Sequence, residues 1–173
     1  MARAAKATIN LSAIEHNFKL AKSLANDSKA IAIIKADAYG HGAVAVAKKL
    51  EASADAFGVA CIEEALELRE AGITKPVLLL EGFFSPDELP IIADNNFWTA
   101  LHSEFQVDQI RQAKLSCAIN VWPKIDSGMH RLGLPLESAN AIYHELKAID
   151  NVADVVFMSH MACADELDNA MTA

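Results

Sequence analysis

The sequence lacks the patterns typical of metal-binding, nucleic-acid-binding and membrane proteins. Its 3 cysteines are scattered, with no CxxC pair and no spacing typical of metal ligands, which favours a reducing cytoplasm and no metal. It has no Lys/Arg cluster and a net charge of −8, so nucleic acid is not an expected partner. No apolar run approaches a membrane span, and no signal core follows Met1–Lys6, so no membrane partner is expected.

Aromatic residues are also few, at 6%, whereas hydrophobic residues make up 53% and alanine is abundant. Small apolar side chains suit the packing of helices on a sheet, and this composition argues against disorder. The 173 residues are enough for one domain with a sizeable core. We therefore interpret residues 1–173 as a single domain.

Strand-like and helix-like patterns alternate along the chain, in about six units. Strands are predicted at residues 30–34, 56–60, 77–80, 97–100, 117–122 and 152–158, and helices at 42–51, 62–71 and 137–148. Three more helices begin near Ser12, Ser85 and Ser103, each followed by Glu or Gln in the pattern of a capping box. Strict alternation predicts a parallel α/β sheet. A complete (β/α)8 TIM-type barrel takes about 250 residues, so we expect its N-terminal part, left incomplete.

Four basic side chains lie at or just after the ends of predicted strands: Lys35, Lys124, Arg131 and His160. The carboxyl ends of barrel strands share one face, where active sites form. A lysine amine there can act as a nucleophile or base, and a guanidinium suits a carboxylate. By position alone each could equally be solvated. An open Rossmann-type sheet would also gather its strand ends, but no GxGxxG follows the first strand.

Three blocks of the sequence resemble the signatures of one enzyme family. They are KADAYGHG at 35–42, KIDSGMHRLG at 124–133 and FMSHMACADE at 157–166. Their order and spacing are similar to those of the bacterial alanine racemases, which use pyridoxal phosphate (PLP) to interconvert L- and D-alanine. The resemblance covers nearly the whole chain, but only the N-terminal PLP-binding barrel of such a racemase, without its β-rich C-terminal domain.

The resemblance implies a role for five residues. Lys35 would carry the cofactor and then act as the base on the D-alanine face of the substrate. Tyr39 would bind the cofactor phosphate, and His160 would lie near the cofactor ring. Arg131 would contact the phenolic oxygen of the cofactor and bind the substrate carboxylate. Lys124 matches a lysine that is carbamylated in many members of the family. A carbamylated Lys124 would be an anion and could pair with Arg131; an unmodified lysine is the alternative.

The remaining histidines and a run of acidic residues are interpreted as structural or solvated. His41, between two glycines, is expected to orient the turn that follows Lys35. The other expected surface residues, taken to lack partners, are His16, His102, His130 and His144, together with the helix face formed by Glu63, Glu64, Glu67 and Glu70.

The resemblance also implies what these residues do not supply. The family takes its second catalytic base, a tyrosine, from the C-terminal domain of the partner subunit, and Tyr143 is predicted in the middle of a helix. We expect the intact protein to be a cytoplasmic homodimer that makes D-alanine for cell-wall peptidoglycan. We expect the 173-residue chain alone to be inactive, and to self-associate through open sheet edges or pair with the missing half.

Two other functions remain open at this point. One is another enzyme built on a PLP-binding barrel, such as an amino-acid decarboxylase or a racemase of broader specificity. The other is a PLP-binding carrier without enzymatic activity. The block at 124–133 argues against a carrier, because its arginine belongs to substrate handling. Specificity for alanine does not follow from the residues themselves.

Overall fold

Six parallel strands form one sheet in the computed structural model, which describes residues 4–166, 168, 169 and 171. The order of the strands in the sheet is their order in the sequence. They are β1 (Ile31–Ile33), β2 (Ala56–Val59), β3 (Val77–Leu79), β4 (Phe97–Leu101), β5 (Ile119–Pro123) and β6 (Val152–Val155). The predicted fold class is confirmed, and each predicted strand is present.

One helix precedes the first strand, and further helices connect each strand to the next. They are α1 (Leu11–Leu24), α2 (Lys35–Gly40), α3 (Ala43–Leu50), α4 (Ile62–Glu70), α5 (Glu88–Asp94), α6 (Glu104–Gln112) and α7 (Ala139–Lys147), with a 3-10 turn at Leu136–Ser138. Within the described part of the chain, no helix is both long enough and apolar enough to cross a membrane.

The central strands are the most deeply buried part of the sheet. Every residue of β2 and β3 is buried, as expected of parallel strands covered on both faces. Gly58 of β2 has a packing role, because a Cβ atom there would lie 2.7 Å from Ile33 Cδ1 of the neighbouring strand. In β4 and β5, Trp98 and Trp122 stack with their ring centroids 5.5 Å apart. The middle of the sheet is therefore a continuous core.

The two outer strands are more exposed. Among the described residues, β1 pairs only with β2, and β6 only with β5. Ile33 of β1 is 41% exposed, and the residues of β6 are all half-buried or exposed. Phe157, just beyond β6, is 44% exposed. The apolar surface of this sheet is thus least covered at its edges.

One predicted helix start is wrong, and the other two are confirmed only in part. The side chain of Asn10, not Ser12, caps α1 by accepting a hydrogen bond from the Ala13 N–H at 3.0 Å. Glu15 is the fifth residue of α1 and forms ion pairs with Lys19 and Lys49 instead of capping the helix. In the other two helices Glu88 accepts from the Ser85 N–H, and Gln106 accepts from the His102 N–H. However, α5 begins only at Glu88, three residues after Ser85, and Ser103 makes no side-chain cap hydrogen bond at the start of α6.

Candidate active site

The basic residues singled out by the sequence come together at the carboxyl ends of the strands. Lys35 opens the turn that follows β1, and Lys124 directly follows β5. His160 lies beyond β6, and Arg131 lies in the loop after Lys124. Because all six strands are parallel, these ends lie at one edge of the sheet, which is where barrels of this type form their sites.

The backbone after Lys35 turns with the opposite hand to an ordinary helix. In α2, the four residues Ala36–Tyr39 all have φ between 51° and 54° and ψ between 41° and 52°. This left-handed conformation costs an L-residue roughly 1–2 kcal/mol, so four in succession must be held by their surroundings. Strained backbone of this kind is concentrated at functional sites. Ala38 N–H donates to the Ile34 carbonyl at 2.9 Å and closes the turn.

Side chains on both sides brace this left-handed turn. Asp37 Oδ1 accepts from the Ala43 N–H at 2.7 Å at the start of α3. His41 Nδ1 lies 2.8 Å from the Ala38 carbonyl oxygen, as expected of a residue that orients the turn. Glu64 Oε1 accepts from the Ala36 N–H at 2.7 Å. The interpretation of Glu64 as part of a solvated helix face is therefore wrong.

Lys124 is the buried cation of the site. It is 8% exposed, and its backbone is fixed by hydrogen bonds to Leu101 and Leu134. Burial lowers the pKa of its ammonium group, and the nearby positive charges of Arg131 and Lys35 lower it further. Arg131 and Lys35 thus lie close enough to Lys124 for their positive charges to act on it, an arrangement that favours an anion bound beside Lys124.

The loop that carries Arg131 is organised by Asp126. The Asp126 carboxylate accepts from the backbone N–H groups of Gly128 and His130, both at 3.0 Å, and these bonds lower its pKa to about 2. The His130 ring lies 3.0 Å from the same carboxylate, so His130 has a partner, contrary to expectation. At Gly133 a Cβ atom would lie 2.6 Å from the Asp126 backbone nitrogen. Arg131 is exposed at the surface of this compact loop.

Two predicted site residues are at the open side of the cluster. Tyr39 is 61% exposed and lies in the left-handed turn. His160 is also exposed and lines a narrow crevice with Lys124, Asp126 and Arg131. Lys35 is half-buried. The five predicted residues therefore all follow carboxyl ends of strands, with Lys124 buried, Lys35 half-buried, and Tyr39, Arg131 and His160 exposed.

Sequence reasoning missed the acidic residues that support this cluster. Glu81 follows β3, and its charge opposes the lowering of the Lys124 pKa, as does that of Asp126. Glu81 could have been identified from the sequence, because it directly follows the predicted strand at residues 77–80. His102, predicted to lack a partner, has Nε2 3.2 Å from the Glu81 carbonyl oxygen.

The fold and the site together define an α/β domain of the TIM-barrel type with cations gathered at the carboxyl ends of its strands. Residues 9–173 match the family model described as "Alanine racemase, N-terminal domain". The chain belongs to the alanine racemase family.

Relatives similar in sequence include alanine racemases of Pseudomonas. The chain is 54% identical to the alanine racemase of Pseudomonas syringae over 167 residues, which is 96% of this chain and 46% of that protein. It is 53% identical to the catabolic alanine racemase of Pseudomonas aeruginosa over 166 residues, again 96% of the chain and 46% of the relative. The chain thus spans about half the length of these relatives.

Solved structures share the fold. The biosynthetic alanine racemase of Pseudomonas aeruginosa superposes with a TM-score of 0.90 at 40% identity, over 95% of this chain and 46% of that chain. The alanine racemase of Bacillus anthracis with bound L-Ala-P has a TM-score of 0.84 at 31% identity, over 94% of this chain and 43% of that chain. These likenesses establish that the six-stranded sheet is part of a TIM-type barrel.

Proposed function

We propose that this chain is the cofactor-binding part of an alanine racemase, which interconverts L- and D-alanine by proton transfer at Cα with PLP as cofactor. The observation that carries the proposal is the gathering of Lys35, Lys124 and Arg131 at one end of the sheet, in a chain of this family. Because the chain spans about half the length of its relatives, the activity is proposed for the whole protein.

The residues at this end of the sheet fit PLP by their chemistry. The cofactor carries an aldehyde and a phosphate, and the site offers the amine of Lys35 to the first and the exposed side chain of Tyr39 to the second. An anionic ligand would relieve the repulsion that, together with burial, lowers the Lys124 pKa. When bound, PLP supplies a conjugated ring that stabilises the negative charge left at Cα after proton removal. His160 lines the same crevice as Arg131 and would lie near that ring.

The residues of the chain divide the remaining tasks between them. Lys35 would hold the cofactor through its Nζ and, once released, would take or return the Cα proton on the D-alanine face. Arg131 would bind the substrate carboxylate and the phenolic oxygen of the cofactor, because its planar guanidinium can form two parallel hydrogen bonds.

A second base on the opposite face would come from another part of the protein. Tyr39 and Tyr143 are the 2 tyrosines of the chain, and Tyr143 lies in α7, where its ring packs near Phe157 with a centroid distance of 6.1 Å. We propose that a tyrosine of the partner subunit acts as this base in a homodimer. The product would be D-alanine for peptidoglycan, made in the cytoplasm.

We also propose that Lys124 is carbamylated. Its lowered pKa favours the neutral amine, whose nitrogen can bond to the carbon of CO2 with release of one proton. The product is an anion beside Arg131 and would replace repulsion with attraction. A carbonyl signal from labelled bicarbonate that disappears in Lys124→Ala, together with partial rescue of Lys124→Ala by added carboxylate anions, is the expected result. Absence of both would favour an unmodified lysine.

The proposed activity is tested in the full-length gene product that contains this sequence. With PLP and L-alanine, a coupled assay should detect D-alanine. Release of CO2 from an amino acid without D-alanine would favour a decarboxylase, and racemisation of many amino acids at similar rates would favour broad specificity. Bound PLP with neither reaction would favour a carrier.

The 173-residue chain alone is expected to bind PLP but to racemise alanine no faster than background. Its outer strands β1 and β6 pair on one side only among the described residues, and open edges promote association. Light scattering should therefore detect a species larger than the 18.6 kDa monomer, either a self-associated form or, when the rest of the protein is supplied, a complex with it. A stable monomer with substantial racemase activity would contradict this proposal.

A further inference from the structure

Three helices of the domain begin with the same kind of contact. Glu64 of α4, Glu88 of α5 and Gln106 of α6 each accept a hydrogen bond from a backbone N–H just before their own helix. Such contacts satisfy N–H groups that a helix leaves unpaired at its start. By this contact alone, all three residues are helix caps.

The three side chains differ in the hydrogen-bond partner of their second polar atom. Gln106 Nε2 donates to the Phe83 carbonyl at 3.2 Å. Glu88 Oε2 is buried and has no hydrogen-bond partner among the described residues. Glu64 Oε1 accepts from the Ala36 N–H at 2.7 Å, while its Oε2 accepts from the Ala60 N–H at 2.8 Å. Glu64 therefore joins the end of β2 to the turn that follows β1.

The residue types match these partners. Gln106 faces one N–H and one carbonyl, and an amide has one accepting and one donating end. Glu64 faces two N–H groups, and a carboxylate offers an acceptor to each. A glutamine at position 64 would point a donor at one of them and would lose that contact. The structure thus requires the carboxylate at Glu64 but not at Glu88, where a single oxygen accepts both hydrogen bonds.

The Glu64 contact falls on the residue next to Lys35. Ala36 is the first of the four left-handed residues, and its N–H is the first backbone donor after Lys35. Residues in this conformation stay there only when the surrounding structure holds them. A carboxylate accepting from that N–H fixes the start of the turn, and with it the direction in which the Lys35 side chain leaves the strand.

We propose that Glu64 is a positioning residue for Lys35, acting through the Ala36 N–H that it ties to the end of β2. The inference rests on the proposed function, because the direction of Lys35 matters only if its amine reacts with a bound aldehyde. Glu64 acts through the backbone and is not expected to touch the cofactor.

The test measures how fast Lys35 reacts. The full-length gene product, freed of bound cofactor, is incubated with PLP, trapped with borohydride at successive times, and mapped by peptide to give the rate of pyridoxyl labelling at Lys35. Glu64→Gln should slow this labelling about tenfold, whereas Glu88→Gln, the same change near the start of α5, should stay within about twofold of the unmodified protein. Glu64→Asp keeps both oxygens and should recover part of the rate.

Two controls separate positioning from general stability. Thermal unfolding identifies any loss of stability that Glu64→Gln and Glu88→Gln share, and amide exchange should increase at Ala36 only in Glu64→Gln. If Glu64→Gln does not fold, the comparison is made with Glu64→Asp, whose labelling should then lie between the unmodified rate and one tenth of it. Labelling of Lys35 at the unmodified rate in the folded variant would overturn this inference alone. No labelling of Lys35 in the unmodified full-length protein would overturn the proposed function and this inference with it.

Discussion

The turn after β1 and the loop after Lys124 bring cations to the same end of the sheet, but they are held in place differently. The turn is left-handed over Ala36–Tyr39 and depends on a carboxylate from α4. The loop is held from within, because Asp126 accepts from backbone N–H groups two and four residues further on. The turn beside the half-buried Lys35 is therefore braced in part by a residue distant in the sequence, whereas the loop of the exposed Arg131 is braced from within.

The largest expected effect tests the reactive residue of the turn. Lys35→Ala should remove borohydride-fixed label from this position and should reduce D-alanine formation by the full-length gene product to background. Lys48→Ala, at an exposed position of α3, is the matched control and should behave as the unmodified protein. Peptide mapping and the coupled assay check both variants. Label found mainly on another lysine would contradict the assignment.

The next effect tests the binding residue of the loop. Arg131→Lys keeps a positive charge but loses the planar fork, so kcat/KM for L-alanine should fall strongly in the full-length gene product. Arg111→Lys, which keeps a cation near Asp108 and Glu145 on the outer helices, should leave kcat/KM unchanged. A loss below threefold at Arg131, which corresponds to about 0.7 kcal/mol, would indicate a solvated arginine.

A smaller effect tests how the loop holds itself together. The folded Asp126 pKa of about 2 lies below its ordinary value of 3.8, so the folded state binds this proton more weakly than the unfolded state. The contribution of Asp126 to stability is therefore present above about pH 4 and is lost as the pH falls towards 2. Urea unfolding at a series of pH values gives the free energy of unfolding at each pH. As the pH falls from about 4 towards 2, this free energy should decrease less steeply in Asp126→Asn than in the unmodified protein. An identical slope in both proteins would mean that the loop does not depend on this carboxylate.

The smallest effect measures the strain in the turn. Ala36→Gly removes the Cβ that disfavours the left-handed conformation, and should raise the free energy of unfolding by about 0.5–1 kcal/mol despite the greater freedom of glycine in the unfolded chain. The same change at exposed Ala21 in right-handed α1 should lower it by about 1 kcal/mol. Denaturant titration gives both values. Equal losses at the two positions would show that the turn stores no strain.

Much of the fold was predictable because it depends on local patterns. Short apolar runs, alternating with helical periodicity, identify the six strands, and short connections imply parallel neighbours. Lys35 could be placed at a strand end for the same reason. The three sequence blocks then identified the family, which composition alone could not do.

The bracing of the site was not predictable, because it depends on contacts between distant residues. Residues 36–39 contain two alanines and carry no local signal for a left-handed turn. Glu64 follows Cys61, which is not a usual capping residue, so its capping position was not recognised. The partner of Glu64, Ala36, lies 28 residues away in the sequence. Similarly, Glu15 pairs with Lys49 of another helix, which no local pattern indicates.

The order of the strands also has a consequence for how the protein is made. Each strand pairs with the strand synthesised just before it, as in Ile31 with Ala56, Phe57 with Val77 and Val77 with Phe97. A chain leaving the ribosome N-terminus first would therefore find the template for every new strand already in place, and each step closes only a short loop. Ribosome-bound chains stalled after successive strands should gain protection from protease in steps, whereas a single late gain would indicate that the sheet forms only as a whole.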